Sequence, residues 1–552
     1  MNTSLWRGLV LALALLIGVS TWMATSNSVQ ADPPLTEEDF SLAAPQGFGD
    51  RQNSWAWSMQ WWNGRLYVGT NRAWHCAETS AFANAFPNLF TYPPDDPDVE
   101  CTPRPEDLPL QAEIWRWTPE TNTWERVYQS PADVPLPEHP GKFVARDVGF
   151  RGMTVFQETN GTEALYVTGV SVKFIGFKGL DGPPARILRS TDGVHFEPIP
   201  QDPGTAFGDL SFSSFRNPTS FNGRFYVVGG GVGGSGMLLE SEHPEQGNDS
   251  FRVVTPLDVK VSALHPFNGY LYLGLQDFEH GYSVVKTDAR GPLPYRFIPV
   301  VEKGGYLING RNPEVLSMAI FDNRLYVGGN GIATASVGAG AAAELIRINP
   351  DDSWDLVAGY PRMTPAGYKF PISGLMAGFG NVFNGHMWRM AVHEGVLYVG
   401  TFDTSTTFRN DPDLGPFARR FMGFDLYASS DGIHFSPITT DGFDDPFNFG
   451  ARTLASTPYG LFLGTANYYY GLQIWLGVTP ITPTPTATPT ETPTPAVTPT
   501  ETPTPTPTLT PPAEAIVVSE VRPRQAINDV TSPLEIFGRN FPVNARGLLD
   551  ST

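Results

Sequence analysis

Asn63-Gly64-Arg65-Leu66-Tyr67-Val68-Gly69 is the stretch of the sequence that decides the fold. Asn-Gly before alternating apolar residues is a strong hairpin signal, because tight primed turns need positive φ at both central positions. Similar motifs recur along the chain. Each has a turn, then Leu or Phe, an aromatic or apolar residue, and Gly. They occupy residues 63–69, 163–169, 222–229, 268–274, 322–328, 394–400 and 459–464. The repeat predicts seven hairpins.

Each hairpin is flanked by further short strands. One strand precedes the turn, the repeated motif itself forms the second, and two more follow, as in 113–117 with 124–127. Four strands in each of seven units predict an all-β protein, a seven-bladed β-propeller, in which radial repetition leaves few exposed sheet edges. The 56 Gly and 52 Pro residues fit many tight turns and exclude a helical bundle.

The seventh unit lacks its last strand, because a Thr- and Pro-rich stretch begins before one can form. Near the N-terminus, residues 38–43 are similar to the outer strand at 353–358. We therefore expect the N-terminal segment to pair into the last blade and close the ring.

The chain divides into four parts. Residues 1–31 carry Arg7, an apolar run over 8–23 and a small-residue cleavage site ending at Ala31, which indicates a secretory signal peptide, with an uncleaved membrane anchor as the alternative. Residues 32–478 hold the propeller. The protein is expected to be secreted or extracellular, or attached to a cell surface.

Residues 479–512 are almost entirely Thr and Pro, a composition typical of an extended spacer without a core. In the tail, 513–552, the segments 516–518 and 534–541 resemble the start of an IPT/TIG domain, an immunoglobulin-like β-sandwich. The resemblance covers about forty residues and implies a partial β-sandwich, because such a domain needs more strands.

The two cysteines, Cys76 and Cys101, lie in one insertion and are expected to form a disulfide in an exported chain, with two free thiols as the alternative. His75 beside them lacks the further ligands that a zinc site needs.

Lys and Arg number 36 against 56 Asp and Glu, a net charge of −20, so the chain lacks the basic surface that nucleic acid requires. No cofactor is expected, apart from Ca²⁺ in acidic loops. The candidate residues are Asp411 and Asp413, with a second acidic loop at 95–98.

Two turns, at 190–196 and 429–435, resemble the Asp-box, or BNR, turn of sialidases and other propellers. Their shared residues are Ser190, Asp192 and Gly193, and Ser429, Asp431 and Gly432. The spacing from Gly to the aromatic residue is one residue shorter than in that family. The resemblance places the chain among sialidase-like, YVTN- or Kelch-type propellers and implies a structural role for these turns.

When the inner strands are aligned, one position holds Trp57, Arg151, Arg216, Ser262, Leu316, Trp388 and Arg452, with Arg389 next to it. We expect these arginines and tryptophans to face the channel entrance formed by the loops between blades. They either bind a carboxylate or a sugar face, or fill the channel and pair with loop aspartates.

The loops between blades share a second repeat, in which Gly-Phe is followed by Asp or Asn. It occurs at 47–53, 378–384 and 442–448, with a partial copy at 206–209. Either its polar residues bond local backbone while Phe packs between blades, or they form a ring toward a polar ligand or Ca²⁺.

Three functions stay open. The leading hypothesis is recognition of a glycan or extracellular protein by a monomeric propeller without a membrane span after signal cleavage. A sialidase-like or other glycan-active hydrolase or lyase is the alternative, because 215–218 resembles the FRIP motif. Against catalysis, the sequence contains no G-x-S-x-G, H-E-x-x-H or P-loop motif. The third hypothesis is a structural spacer.

Overall fold

Twenty-eight strands pair into one antiparallel sheet in the computed structural model. The structure describes residues 33–177, 179–231, 235–307, 312–331 and 342–480, and the backbone of 517–522 and 535–539. It divides the chain into two units, Met1–Ile481 and Thr482–Thr552. The large sheet belongs to the first unit, and the second contains one described hairpin, Val517–Arg522 with Glu535–Arg539.

The strand pairings form seven consecutive groups of four strands. The first, or inner, strands of the groups are Asn53–Trp62, Asp147–Gln157, Ser214–Phe221, Val261–Phe267, Glu314–Phe321, Asn384–His393 and Gly450–Thr457. The second strands are Arg65–Arg72, Glu163–Ser171, Arg224–Gly230, Tyr270–Leu275, Arg324–Asn330, Val396–Asp403 and Gly460–Ala466.

The remaining strands complete each group on its outer side. The third strands are Glu113–Thr118, Ile187–Ser190, Gly236–Ser241, Ser283–Thr287, Leu345–Ile348, Leu426–Ser429 and Ile474–Gly477. The fourth strands are Thr123–Gln129, Glu197–Pro198, Arg252–Val253, Ile298–Val301, Trp354–Ala358, Ser436–Thr439 and, from the start of the chain, Phe40–Leu42.

The inner strands form a ring. Each contacts the inner strands of the groups before and after it, and Gly450–Thr457 contacts Asn53–Trp62. Trp55 also pairs with Ala466, which joins the first group to the seventh. The sheet is therefore nearly closed around a central channel, as in a β-propeller.

The N-terminal segment supplies the missing strand of the seventh group. Phe40 pairs with Gly477 and Leu42 with Trp475 in an antiparallel arrangement. The Phe40 side chain is 1% exposed and its ring lies 5.0 Å from that of Phe443. The pairing expected from the sequence is present.

Buried aromatic residues of the second strands hold neighbouring groups together. Because these strands are covered on both faces, their Leu-Tyr-Val pattern is apolar without alternation. The Tyr residues at the repeated position are at most 1% exposed, namely Tyr67, Tyr166, Tyr226, Tyr272, Tyr326 and Tyr398.

The other elements lie between strands. The one helix of more than four residues in the described part of the chain is Trp74–Ala85, in the insertion that contains both cysteines. Cys76 on this helix is disulfide-bonded to Cys101. None of the described helices is long and apolar enough to cross a membrane.

Short helices and hairpins complete the description. The short α-helices are Lys303–Tyr306, Ser405–Phe408 and Gly415–Ala418. The 3-10 helices are Glu37–Asp39, Gln46–Gly49, Pro105–Asp107, Val172–Phe174, Pro244–Gln246, Asn248–Ser250 and Ala377–Gly380. Two small hairpins pair Val134–Pro135 with Phe143–Val144, and Arg362–Thr364 with Gly367–Lys369.

Candidate functional site

A β-bulge interrupts every inner strand where the sequence aligns its candidate residues. In the first group the register shifts between Ala56 and Ser58, which places Trp57 in the bulge. The other bulges fall at or directly beside the aligned residues Arg151, Arg216, Ser262, Leu316, Trp388 and Arg452. A bulge re-aims a side chain relative to the pleat. Seven bulges at one level of the ring therefore build the interior of the channel.

Two of the arginines lie over tryptophan rings. The guanidinium carbon of Arg151 is 5.3 Å from the ring centre of Trp57, and that of Arg452 is 4.8 Å from the ring centre of Trp388. Trp57 is 1% exposed and Trp388 8% exposed. The tryptophans therefore support the cations from behind through their ring faces.

The hydrogen bonds of the arginines leave several N–H groups free. Arg216 Nη2 donates to the carbonyl of Ser262 at 2.7 Å, and Arg389 Nε donates to the carbonyl of Arg452 at 3.1 Å. Arg452 is buried, yet its Nε and Nη1 have no partner among the described residues. Arg151 is partly exposed and makes no hydrogen bond to a described residue.

Among the described residues, one carboxylate lies close to the four cations. Glu314 lies 3.6 Å from Arg216. Burial, together with the charges of neighbouring arginines, lowers the pKa of Arg151 to about 9 and that of Arg389 to about 10. The pKa of Arg452 is lowered well below its usual value by the same causes. Because arginine stays protonated in proteins, these shifts express an unfavourable free energy that a bound anion would reduce.

Two adjoining cavities reach the cluster. A cavity of about 220 Å³ is lined by Trp57, Arg151, Asn217, Arg389 and residues that follow the bulges, such as Met59, Met153 and Met318. A smaller one of about 30 Å³ contains Arg216, Trp388 and Arg452, and shares Arg151 and Arg389 with the first. The lining residues place the larger cavity in the half of the channel nearer the turns between first and second strands.

Aromatic rings occupy the other half of the channel, where the sequence analysis placed the entrance. Trp55 lies 5.6 Å from Trp388 and 6.1 Å from Phe449, between ring centres. Trp74, on the insertion helix, lies 4.9 Å from Trp57, and Phe449 lies 4.5 Å from Tyr468. Trp57 and Trp388 therefore lie beneath this aromatic layer rather than at an open mouth.

The polar residues of the loop repeat bond to their own loops and groups. Asn53, Asn384 and Asn448 each donate from Nδ2 to the carbonyl of the Gly six residues earlier, at 2.9, 2.9 and 3.0 Å. All three asparagines are fully buried. This geometry supports the local role of these residues.

The phenylalanines of the same loops pack against strand residues. Phe48 stacks on Trp115 with ring centres 4.6 Å apart, and Phe379 lies 4.3 Å from Tyr427. Phe443 contacts Trp475 at 4.6 Å. The phenylalanines of the loop repeat thus pack the loops against the strands of the sheet.

The two Asp-box-like turns join neighbouring groups. Asp192 Oδ1 accepts from the N–H groups of Val194 and His195 at 2.9 and 2.8 Å, and Ser190 Oγ accepts from Gly193 N. Ser429, Asp431 and Gly432 repeat these bonds. Tyr326 of the fifth group donates its hydroxyl proton to the carbonyl of Gly432 in the sixth at 2.9 Å.

The acidic loops have protein partners. Asp411 is exposed and its Oδ1 accepts from the backbone N–H groups of Asp413 and Leu414. Asp96 and Asp98 both accept from Arg409. His75 stacks on Tyr468 at 4.4 Å.

Glu314 and Asn217 are site residues that the sequence analysis did not select. Glu314 pairs with Asn330, and Asn217 donates to the carbonyl of Ser262 at 2.8 Å. Both lie on inner strands, within two residues of the aligned positions Arg216 and Leu316. This proximity in sequence could have identified them as site residues.

No protein-family model matches the chain, and no curated protein is similar to it in sequence. Among solved structures, a puromycin hydrolase is similar with 12% identity and a TM-score of 0.39, covering 77% of this chain and 53% of the hydrolase. Prolyl endopeptidases are similar with 10% identity and a TM-score of 0.30, covering 64% of this chain and 40% of theirs. The chain thus spans about half the length of these proteins or less.

Proposed function

We propose that the chain is an exported seven-bladed β-propeller that binds carboxylate-bearing ligands through the arginine cluster of its channel. Seven four-strand groups whose inner strands contact in a ring support the number of blades. The signal-like start supports export, and the Thr- and Pro-rich 479–512 and IPT/TIG-like 513–552 support a stalk and a second module. This layout fits an extracellular or surface-attached binding protein.

The observation that carries the proposal is the excess of positive charge in the channel. In the part of the chain that the structure describes, one carboxylate, Glu314, lies beside the cluster of Arg151, Arg216, Arg389 and Arg452. The net charge of the whole chain is −20. Guanidinium groups match a carboxylate with paired N–H donors. An anion bound beside Arg151 and Arg389 would take up donors that the protein leaves free.

The cavity favours an acidic glycan among carboxylate ligands. At about 220 Å³ it admits one sugar ring or one acidic side chain, but no larger group. Beside the arginines it offers the side chains of Met59, Met153 and Met318, with the buried Trp57 ring behind Arg151. A uronic or sialic acid residue presents a carboxylate together with an apolar ring face. An acidic side chain of a protein presents a carboxylate without such a ring face.

Glycan hydrolysis is the competing function. It requires a pair of carboxyl groups flanking the scissile bond, and the residues that line the two cavities include no Asp or Glu. The same experiment tests both functions when released sugars are measured together with binding.

The test is a glycan array of sialylated, uronic-acid and neutral sugars probed with the full chain. Binding to acidic sugars without release is the expected result. Arg151→Ala should weaken it at least about tenfold, because one charge-assisted contact is lost. Arg290→Ala, which changes an exposed arginine of the fourth group, is the matched control and should bind normally.

Other outcomes would contradict the proposal. Equal binding by wild type and Arg151→Ala would place the ligand elsewhere. Release of sugar would establish the hydrolase. If no sugar is bound, binding to acidic peptides in a separate assay would establish protein recognition. Absence of binding to sugars and peptides alike would favour a structural spacer.

A further inference from the structure

In three of the groups, the loop asparagine is accompanied by two equivalent positions whose side chains differ from group to group. One position is at, or directly after, the end of the second strand, and the other is at, or directly before, the start of the third strand. These residues are Asn53, Arg72 and Glu113 in the first group, Asn384, Asp403 and Asp425 in the sixth, and Asn448, Asn467 and Gln473 in the seventh. In each group the asparagine Nδ2 donates to the third-strand side chain, at 2.9, 2.7 and 2.7 Å.

The asparagine Oδ1 finds a donor in two of the groups. Asn53 Oδ1 accepts from Arg72 Nη1 at 3.2 Å, and Asn448 Oδ1 accepts from Asn467 Nδ2 at 3.1 Å. In the sixth group the equivalent of these donors is Asp403, whose side chain offers oxygen instead. Asn384 Oδ1 is buried and has no partner among the described residues.

Asp403 and Asp425 form a buried pair to which no described residue supplies a cation. Each is 1% exposed, and neither makes an ion pair with a described residue. Asp403 accepts from Ser405 and from Asn381, while Asp425 Oδ1 has no hydrogen-bond partner in the described part of the chain. Two uncompensated carboxylates at this depth are costly.

The first group shows how the same place is neutralised elsewhere. Glu113 lies 2.8 Å from Arg126 and 3.4 Å from Arg72. In the sixth group, burial raises the pKa of Asp425 to about 7, and burial and the charge of Asp425 raise that of Asp403 well above its usual value. In the sixth group no described residue forms an ion pair with Asp403 or Asp425, whereas in the first group Arg72 and Arg126 both pair with Glu113.

We propose that a Ca²⁺ ion binds between Asp403, Asp425 and Asn384. Its charge of two balances two carboxylates, and its ligands are carboxylate, carboxamide and backbone oxygens. Asn384 Oδ1 and Asp425 Oδ1 are the buried oxygens that lack a partner. No three His, Cys, Asp or Glu residues cluster as metal ligands in the described part of the chain, so this site depends on the carboxamide.

The test is calcium titration of the full chain after treatment with EDTA. Calorimetry with CaCl₂ should give one tight site per chain, and the Tm should rise by about 5 °C over that in EDTA. Asp403→Asn should fold, because the seventh group has Asn467 at this position, and it should lose both responses. Asp411→Asn, in an exposed acidic loop, should keep them.

Three results would overturn the proposal. A wild-type Tm that is equal in CaCl₂ and EDTA but falls as the pH rises from about 4 to about 7 would show that a shared proton balances the pair, because the folded chain then holds a proton that the unfolded chain has lost. Retention of the calcium response in Asp403→Asn would place the ion elsewhere. Its loss in Asp411→Asn alone would assign the ion to the exposed loop.

Discussion

Arg452 holds its guanidinium carbon 4.8 Å from the centre of the Trp388 ring, while its Nε and Nη1 have no hydrogen-bond partner in the described part of the chain. The ring face stabilises the cation, but the charges of Arg151, Arg216 and Arg389 oppose it. Arg452 therefore lowers the stability of the fold, and the proposed ligand site would account for this cost.

Replacing this arginine should not destabilise the fold. We expect Arg452→Met to leave the free energy of unfolding unchanged or to raise it by about 1 kcal/mol, because an apolar side chain replaces an unpaired buried charge. Arg216→Met should lower it by about 3 kcal/mol, because Glu314 then loses its cation. Chemical denaturation of both variants measures the difference, and a marked loss in Arg452→Met would mean that this arginine is a structural plug.

Closure of the ring should depend on Phe40. Phe40→Ala should lower the free energy of unfolding by about 3 kcal/mol, because a fully buried ring is removed from the contact with Phe443. Leu42→Ala on the same strand is the control, since Leu42 is 52% exposed and should change little. Deleting residues 34–46 should lower the Tm sharply, and an unchanged Tm would refute closure by this segment.

A side chain at Gly432, in the Asp-box-like turn of the sixth group, should destabilise the fold. In Gly432→Ala the new Cβ would lie 1.9 Å from the Tyr326 hydroxyl, at a φ of +70°. Gly374→Ala meets the same backbone strain at +75° but nothing within 4 Å. We expect Gly432→Ala to lower the free energy of unfolding by at least about 1 kcal/mol more than Gly374→Ala. Equal losses in thermal or denaturant unfolding would show that contact with Tyr326 is unimportant.

The disulfide should stabilise the insertion that covers the aromatic layer. The bond between Cys76 and Cys101 spans a sequence separation of 25 residues. Changing both cysteines to serine should lower the free energy of unfolding by about 3 kcal/mol, because the unfolded loop gains freedom. A reducing agent should reproduce this loss in the wild type and have no effect on the double variant, and a loss in both would point to another cause.

Acid should destabilise the chain through His75. Burial lowers its pKa from 6.5 to about 4, with a smaller opposing contribution from Asp96. Between these values the unfolded chain binds a proton that the folded chain does not, so the stabilisation is complete above about pH 6.5 and declines toward pH 4. His75→Phe, which preserves the stacking on Tyr468, should lose less stability over this range, by about 3 kcal/mol at most. Parallel stability curves for the two proteins would contradict the assignment.

The strand repeat was predictable because each turn has a local cause. Asn63 has a φ of 48° and Gly64 a φ of 71°, the conformation that Asn-Gly favours. The bulge that carries Arg151 was not predictable, since an extra residue shows only in the register between two strands. The alignment nevertheless found these positions, because the residue two places beyond them is Met or Leu in six of the seven groups, the third having Pro218.

The aromatic layer and the buried carboxyl pair depend on contacts between distant segments. Trp55, Trp74 and Phe449 come into contact only after the ring forms. The sequence analysis therefore expected an open channel entrance on the loop side, which these rings fill. Asp403 and Asp425 could have been found by aligning the ends of the second strands, where the first group has Arg72. Only that alignment shows that the hydrogen-bond donor of the first group, Arg72, is replaced by a carboxylate acceptor, Asp403, in the sixth.

The pairing of Phe40 with Gly477 also fixes when the ring can be completed during biosynthesis. The ribosome makes the chain from its N-terminus, so the first strand of the molecule must wait, unpaired, until its partner at the other end has been made. Contacts between such distant residues form slowly. A nascent chain halted before residue 474 therefore exposes an open sheet edge, which is the state in which the protein would be most susceptible to proteases and to aggregation.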